Sequence, residues 1–172
     1  MSAKRASEAD SLRQALGAVL EGLTFYELAQ IVSADTRVKV TFEDLGRRKA
    51  AQRTRLEALT GPAAKEAAFY PNLYPLDAVS KAECYVCGHV VDTRDMPNQC
   101  PKCGTARYTF EKEIALTKAW EIAAETSRKS ADLLHGLAAK STGKPRDLLE
   151  ALSKEDRALA DEAGNELAEL RS

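Results

Sequence analysis

A chain of 172 residues can enclose one good core and a small satellite module. Its 25 Lys and Arg offset 26 Asp and Glu to a net charge of -1, with the two signs interleaved and no basic stripe among aromatics, which argues against a nucleic-acid partner. No apolar run reads as long enough to cross a bilayer, Met1 to Asp10 carries no apolar export signal, and cysteines kept as thiols suit the cytoplasm.

Residues 1–9 read as a frayed polar lead-in. The spacing predicts a first helix from about Ser11 to Val32, with Leu12, Leu16, Val19, Leu23 and Tyr26 on one stripe. After a break at Ser33-Ala34-Asp35, Ser33 or Asp35 can cap a second helix that ends near Leu59, before Gly61-Pro62. Its stripe is Val38, Phe42, Leu45, Lys49, Gln52, Leu56 and Leu59, regular in spacing but polar at Lys49 and Gln52. Residues 61–80 read as a linker, because the Tyr-Pro steps in Phe69-Tyr70-Pro71-Asn72-Leu73-Tyr74-Pro75-Leu76 exclude a regular helix. Its aromatics either pack on the helices or meet a partner, and packing is the preferred reading.

Residues 81–111 hold all four cysteines, in Cys84-Tyr85-Val86-Cys87-Gly88 and Cys100-Pro101-Lys102-Cys103-Gly104. Two C-x-x-C loops at this separation can present four thiolates tetrahedrally to one ion. The glycine after each loop permits a positive φ, which lets amide N–H groups turn back toward sulfur. A disulfide framework suits the pattern less well, since neighbouring C-x-x-C pairs make poor staples for so long a chain. Tyr85, Val90, Tyr108 and Phe110 are expected to fill the module's small core. That core is too small to stand alone, so the metal would supply most of the folding free energy, about 10 kcal/mol or more.

A third helix is predicted from about Lys112 to Lys140, with Trp120, Ala123, Ser127, Ser130, Leu134 and Leu137 inward. Ser141-Thr142-Gly143-Lys144-Pro145 breaks it, and a fourth helix turns Leu149, Leu152, Asp156, Leu159, Ala163 and Leu170 to one side. Residues 10–60 and 112–172 thus each read helix, short break, helix. Two such antiparallel pairs can close one four-helix bundle, with the cysteine module on the crossover between helices two and three.

The run Glu83-Cys84-Tyr85-Val86-Cys87-Gly88-His89-Val90-Val91, then Pro97-Asn98-Gln99-Cys100-Pro101-Lys102-Cys103-Gly104 and Phe110, resembles the rubredoxin-like domain of rubrerythrins. Glu21-Gly22-Leu23-Thr24-Phe25-Tyr26-Glu27-Leu28-Ala29, Val38-Lys39 and Phe42-Glu43-Asp44-Leu45 are similar to that superfamily's first helix pair, and Leu152-Ser153-Lys154-Glu155-Asp156 looks like a degraded copy of the second. The resemblance implies a mostly α, ferritin-like antiparallel four-helix bundle with a rubredoxin-like, zinc-ribbon-like module inserted mid-chain, whereas rubrerythrins commonly carry that module at one end. The family holds two irons in the bundle with a Glu on each of two helices and a Glu-x-x-His on each of the others. Those positions fall here at Val19, Lys49-Ala50-Ala51-Gln52, Ser127 and Asp156-Arg157-Ala158-Leu159. Only Asp156 keeps a carboxylate, a one-residue slip would put Glu155 in its place, and no slip restores both histidines. The resemblance therefore implies the fold without the di-iron chemistry. In place of the irons, a partly buried Lys49–Asp156 ion pair is expected, with Gln52 and Ser127 hydrogen-bonded nearby. The alternative is that Lys49 and Gln52 snorkel to solvent.

For the sulfur site, Cys84, Cys87, Cys100 and Cys103 are the expected ligands of one metal, either iron or zinc. The rubrerythrin-like context favours iron. Two classes of function follow. In one, a rubredoxin-type iron centre carries single electrons to a redox partner protein or serves a larger oxidoreductase as an accessory subunit. Tyr85, His89 and Lys102 would then shape the contact, and the helices would be a scaffold or a homodimer face without catalytic residues. In the other, zinc stabilises a module that grips a partner protein and no electron moves. Chemistry in the helices through His135 or Glu125 is disfavoured, since a lone histidine near a helix end is most often a surface residue.

Overall fold

The computed structural model describes residues 2–66 and 68–172. The chain is mostly helical: α1 (Ser2–Val32), α2 (Thr36–Thr60), the single turn α3 (Asp77–Ser80), α4 (Leu116–Ala139) and α5 (Gly143–Arg171). One small antiparallel sheet pairs β1 (Lys81–Glu83) with β2 (Val90–Asp92), Ala82 facing Val91.

α1 starts at Ser2 rather than near Ser11, so the polar lead-in is helical over its described residues, 2–9. Glu8 ties this first part of α1 to the turn before α5, accepting from the Thr142 amide at 3.1 Å. The expected stripe of α1 is buried, but so are Ala18, Leu20, Phe25, Leu28 and Val32, which point to other sides. A helix apolar all round must be covered all round. This corrects the expectation about apolar runs: Ser7–Val32 is long and apolar enough to cross a membrane by length and composition, and 78% of its most apolar window is buried within the protein.

Asp35 caps α2 by accepting from the Arg37 amide at 2.8 Å, and the helix ends at Gly61 with φ 76°. Its stripe is buried through Leu56, whereas Leu59 is exposed. α4 begins four residues later than expected because Lys112 is held extended against the end of α1. The Lys112 amide donates to the Val32 carbonyl at 2.6 Å, and the Ala34 amide donates to the Lys112 carbonyl at 3.0 Å. α5 starts at Gly143, before Pro145, and Leu170 in its last turn is exposed.

α1 packs along α2, and α4 along α5. The two pairs meet chiefly where α4 touches α1 and α2, with α2 also reaching α5. The apolar side chains form two clusters. One joins Phe25, Tyr26 and Phe42 of the helices to Tyr74, Ala82, Cys84, Cys100 and Phe110, so the cysteine module shares its core with the helices. The other gathers Leu16, Val19, Leu56, Leu134, Leu149 and Leu152. Lys49, Gln52, Ser127, Ser130 and Asp156 are buried yet belong to neither cluster.

The linker is a strap laid on the otherwise open side of α1. A Cβ at Gly17 would stand 1.7 Å from the Phe69 carbonyl oxygen, and one at Gly22 would stand 2.7 Å from the Tyr74 ring, so only glycine admits the strap here. Between them, the buried Glu21 carboxylate accepts from the Asn72 amide at 2.9 Å and the Tyr74 amide at 2.8 Å. Asn72 takes a left-handed φ of 58° at this turn, a conformation asparagine tolerates. Tyr74 then inserts between Phe25 and Tyr26, with ring centroids 5.7 and 5.6 Å away. Packing thus holds for Tyr74, while Phe69 and Tyr70 remain exposed.

Candidate metal centre

Each C-x-x-C loop is a tight turn closed by the same two backbone bonds. The Gly88 amide donates to the Cys84 carbonyl at 2.8 Å, and the Gly104 amide to the Cys100 carbonyl at 2.9 Å. The Cys84 amide donates to His89 O, and the Cys100 amide to Thr105 O, both at 2.8 Å. Gly88 and Gly104 carry φ of 73° and 77°, the left-handed backbone that a side chain would disfavour. The two loops are therefore copies of one knuckle, placed face to face.

The four sulfurs lie within 4.8 Å of one another. Cys84 and Cys103 Sγ are 3.8 Å apart, and Cys87 and Cys100 Sγ are 3.6 Å apart. Metal–sulfur bonds of about 2.3 Å at tetrahedral angles would set sulfurs roughly 3.8 Å apart, so the donor set fits one tetrahedral ion. Disulfide bonds are absent from this set. Cys84 and Cys100 are buried, Cys87 is half-buried and Cys103 is exposed, so the site lies at the surface with one flank sealed.

The surroundings favour negative sulfur. The Thr109 hydroxyl 3.5 Å from Cys84, opposed by burial and reinforced by the Cys87 amide and the Thr105 hydroxyl, holds the Cys84 thiol down to about 5. Cys103 is held below the usual thiol range by the Thr105 hydroxyl at 3.1 Å and the Thr105 amide. At Cys87 the His89 amide acts in the same lowering sense, but burial and crowding by Cys100, Cys103 and Cys84 push the thiol up to about 12. Four adjacent sulfurs cannot all be anionic without a cation to share, and a metal ion could be that cation. The two threonines, 3.3 Å apart, were not singled out in the sequence; T-x-x-x-T after the second knuckle is the signal that marks them.

Of the residues expected to fill the module's core, only Phe110 does so. Tyr85, Val90 and Tyr108 are 68%, 52% and 61% exposed. The module docks on the helices through Ala82, Cys84 and Phe110, which leaves its other face free of a core to fill. Lys102 is exposed as well, and His89 is half-buried.

In the middle of the helices, Lys49 Nζ lies 2.9 Å from both carboxylate oxygens of Asp156 and 3.0 Å from Gln52 Oε1. Gln52 Nε2 donates to Asp156 Oδ1 at 2.8 Å. The Lys49 and Asp156 side chains are each 1% exposed. The ion pair and the glutamine stand as expected, and Lys49 does not snorkel. Ser127 departs from expectation: its hydroxyl is buried without a hydrogen-bond partner, as is that of Ser130. The Tyr26 and Tyr74 phenols border the same region, and burial first, then like charge nearby, pushes both well above the usual phenol range. Glu125 pairs outward with Lys129 at 2.6 Å and His135 is exposed. Among the described residues, the cysteine set is the one group of His, Cys, Asp and Glu close enough to share an ion.

Compared with protein families, with characterised proteins and with solved structures, the chain matches none. Its own residues define the class: a mostly helical protein whose four-cysteine cluster could hold a metal ion.

Proposed function

We propose that Cys84, Cys87, Cys100 and Cys103 hold one iron ion in the manner of a rubredoxin, and that the protein transfers single electrons or serves a larger oxidoreductase as an accessory redox subunit. The observation that carries this reading is the convergence of four sulfurs within 4.8 Å at an exposed edge. Iron bound there supplies a ferric–ferrous couple. The chain supplies the rest. Two rigid knuckles fix all four donors, so a change of charge demands little movement. The Thr105 hydroxyl, 3.1 Å from Cys103 and 3.6 Å from Cys84, and the loop amides face the sulfurs and stabilise the more negative, reduced site. Buried Cys84 and Cys100 keep water from one flank, and Cys103 offers the short exit for an electron. Exposed Tyr85, Tyr108 and Lys102 are the surface a redox partner would cover.

In this reading residues 10–60 and 112–172 form a ferritin-like bundle, 61–80 its strap and 81–111 the inserted rubredoxin-like module, in a cytoplasmic protein able to pair through helix faces. Lys49 and Asp156 occupy the positions where the rubrerythrin pattern places metal-binding glutamates, which supports a bundle without oxidase or peroxidase chemistry. Aerobically purified protein is then red and bleaches reversibly on stoichiometric reduction. The second reading, a zinc-stabilised module that binds a partner, is favoured by the exposed strap residues Phe69 and Tyr70. It predicts colourless protein with one zinc per chain and no redox couple.

A further inference from the structure

A cavity of about 520 Å³ lies away from both the sulfurs and the Lys49–Asp156 pair. Its floor is one face of α1, on which Leu20, Leu23, Leu28 and Ile31 lie beside Thr24 and Glu27. Three cations from three other parts of the chain close over it: Arg53 of α2, Lys65 of the turn that opens the strap and Arg94 of the cysteine module. One carboxylate, Glu27, shares the lining.

The cations are poorly matched. Arg53 Nε is buried without a hydrogen-bond acceptor, and its nearest carboxylate, Glu57, stands 3.8 Å away. A buried guanidinium N–H without an acceptor calls for one. Arg94 uses its backbone amide to close the Asp92 turn at 2.9 Å. Among the described residues, neither its guanidinium nor the Lys65 ammonium is within ion-pair reach of a carboxylate. This sets them apart from most of the other arginines on the surface of the helices, such as Arg48 with Glu162 and Arg157 with Asp132.

Leucine and isoleucine side chains beside two cations without ion-pair partners, and a third held only at 3.8 Å by Glu57, select a molecule with both properties, and a cavity of this volume is of the size that holds small organic ligands. We infer that this cavity binds an amphipathic organic anion, a phosphate or carboxylate head on an apolar body. The head meets Arg53, Lys65 and Arg94, and the body lies along Leu20, Leu23 and Ile31 beside the Tyr70 ring. Because the cations come from α2, the opening turn of the strap and the cysteine module, one ligand would clamp all three to α1.

Calorimetric titration of the full-length, metal-loaded protein tests this. Octyl phosphate and octanoate should each bind once per chain, while octyltrimethylammonium and inorganic phosphate should bind at least about tenfold more weakly. Arg53→Gln and Arg94→Gln should each weaken octyl phosphate about tenfold or more, as losing a charge-assisted hydrogen bond does. Lys65→Glu, an exposed change that the fold tolerates, should weaken it comparably with an unaltered melting curve, and Arg107→Gln on the far knuckle should not. Phosphatidylglycerol vesicles separate a free solute from a lipid surface: failure to sediment with them supports a solute site. Overturning results are octyltrimethylammonium binding as tightly as octanoate, affinity unchanged in Lys65→Glu and Arg53→Gln, or sedimentation with vesicles without binding of free octyl phosphate.

Discussion

At the edge of the molecule, four sulfurs crowd within 4.8 Å with only hydroxyls and amides to soothe them. Among the helices, one buried carboxylate is answered by a cation the chain carries itself, Lys49. Both sites concentrate polar groups that an apolar core would reject. The first is an open donor set that could take an ion from outside, and on the proposed reading its stability, colour and chemistry depend on that ion. The second is complete as folded: Lys49 reaches both Asp156 oxygens, and Gln52 bonds to each partner. An open donor set is a place for function, whereas a closed one is a place for architecture.

The comparison breaks most directly by taking the ion away. Chelation, or Cys84→Ser, removes on the order of 10 kcal/mol of metal binding. Hydrogen exchange should then report loss of protection across residues 81–111, while the Leu16, Leu134 and Leu149 cluster stays protected. Uniform exchange throughout the chain would mean that the helices too rest on the ion.

The helix site should respond to single and double changes in opposite ways. Lys49→Ala or Asp156→Ala strands one buried charge and should cost about 3–5 kcal/mol. The double change Lys49→Met with Asp156→Leu removes both charges and should be neutral or stabilise by about 1–4 kcal/mol. Denaturant melts of the three variants give the coupling. A double variant as unstable as the singles would contradict a purely structural pair.

A smaller effect is expected at the strap. In Glu21→Gln one oxygen acceptor becomes an NH₂ group facing an amide N–H, so one of two charge-assisted bonds is lost and replaced by a donor against a donor. A loss of about 1.5–3 kcal/mol is expected in the same melts. The smallest belongs to Ser127→Ala, which removes a hydroxyl that makes no hydrogen bond. Its stability should stay within about 0.5 kcal/mol. A loss above about 1 kcal/mol would reveal a partner at that hydroxyl.

Much of this was legible in the sequence. The knuckles follow from residue type and spacing alone, because thiolate geometry leaves few alternatives. The ion pair was legible because Lys49 and Asp156 interrupt apolar stripes of opposite helices with opposite charge. The strap was not. A stripe shows which face of α1 meets its helix partners, but it cannot show that a loop covers the rest. The signal was present, in Gly17 and Gly22 on either side of Glu21 within an apolar helix. The module's surface was misjudged for a related reason. A three-residue strand carries too little alternation to say which side of Val90 is covered, and Tyr85 and Tyr108 sit in turns with no periodicity at all; all three lie on the open side.

The most direct test of the central claim, one ion held by sulfur beside helices that need none, is metal content per chain in wild type, Cys84→Ser and Lys49→Met with Asp156→Leu. The account predicts one metal ion in wild type and in the helix variant, and none in Cys84→Ser. Two or more ions per chain that survive loss of the cysteine, or disappear with Asp156, would contradict it.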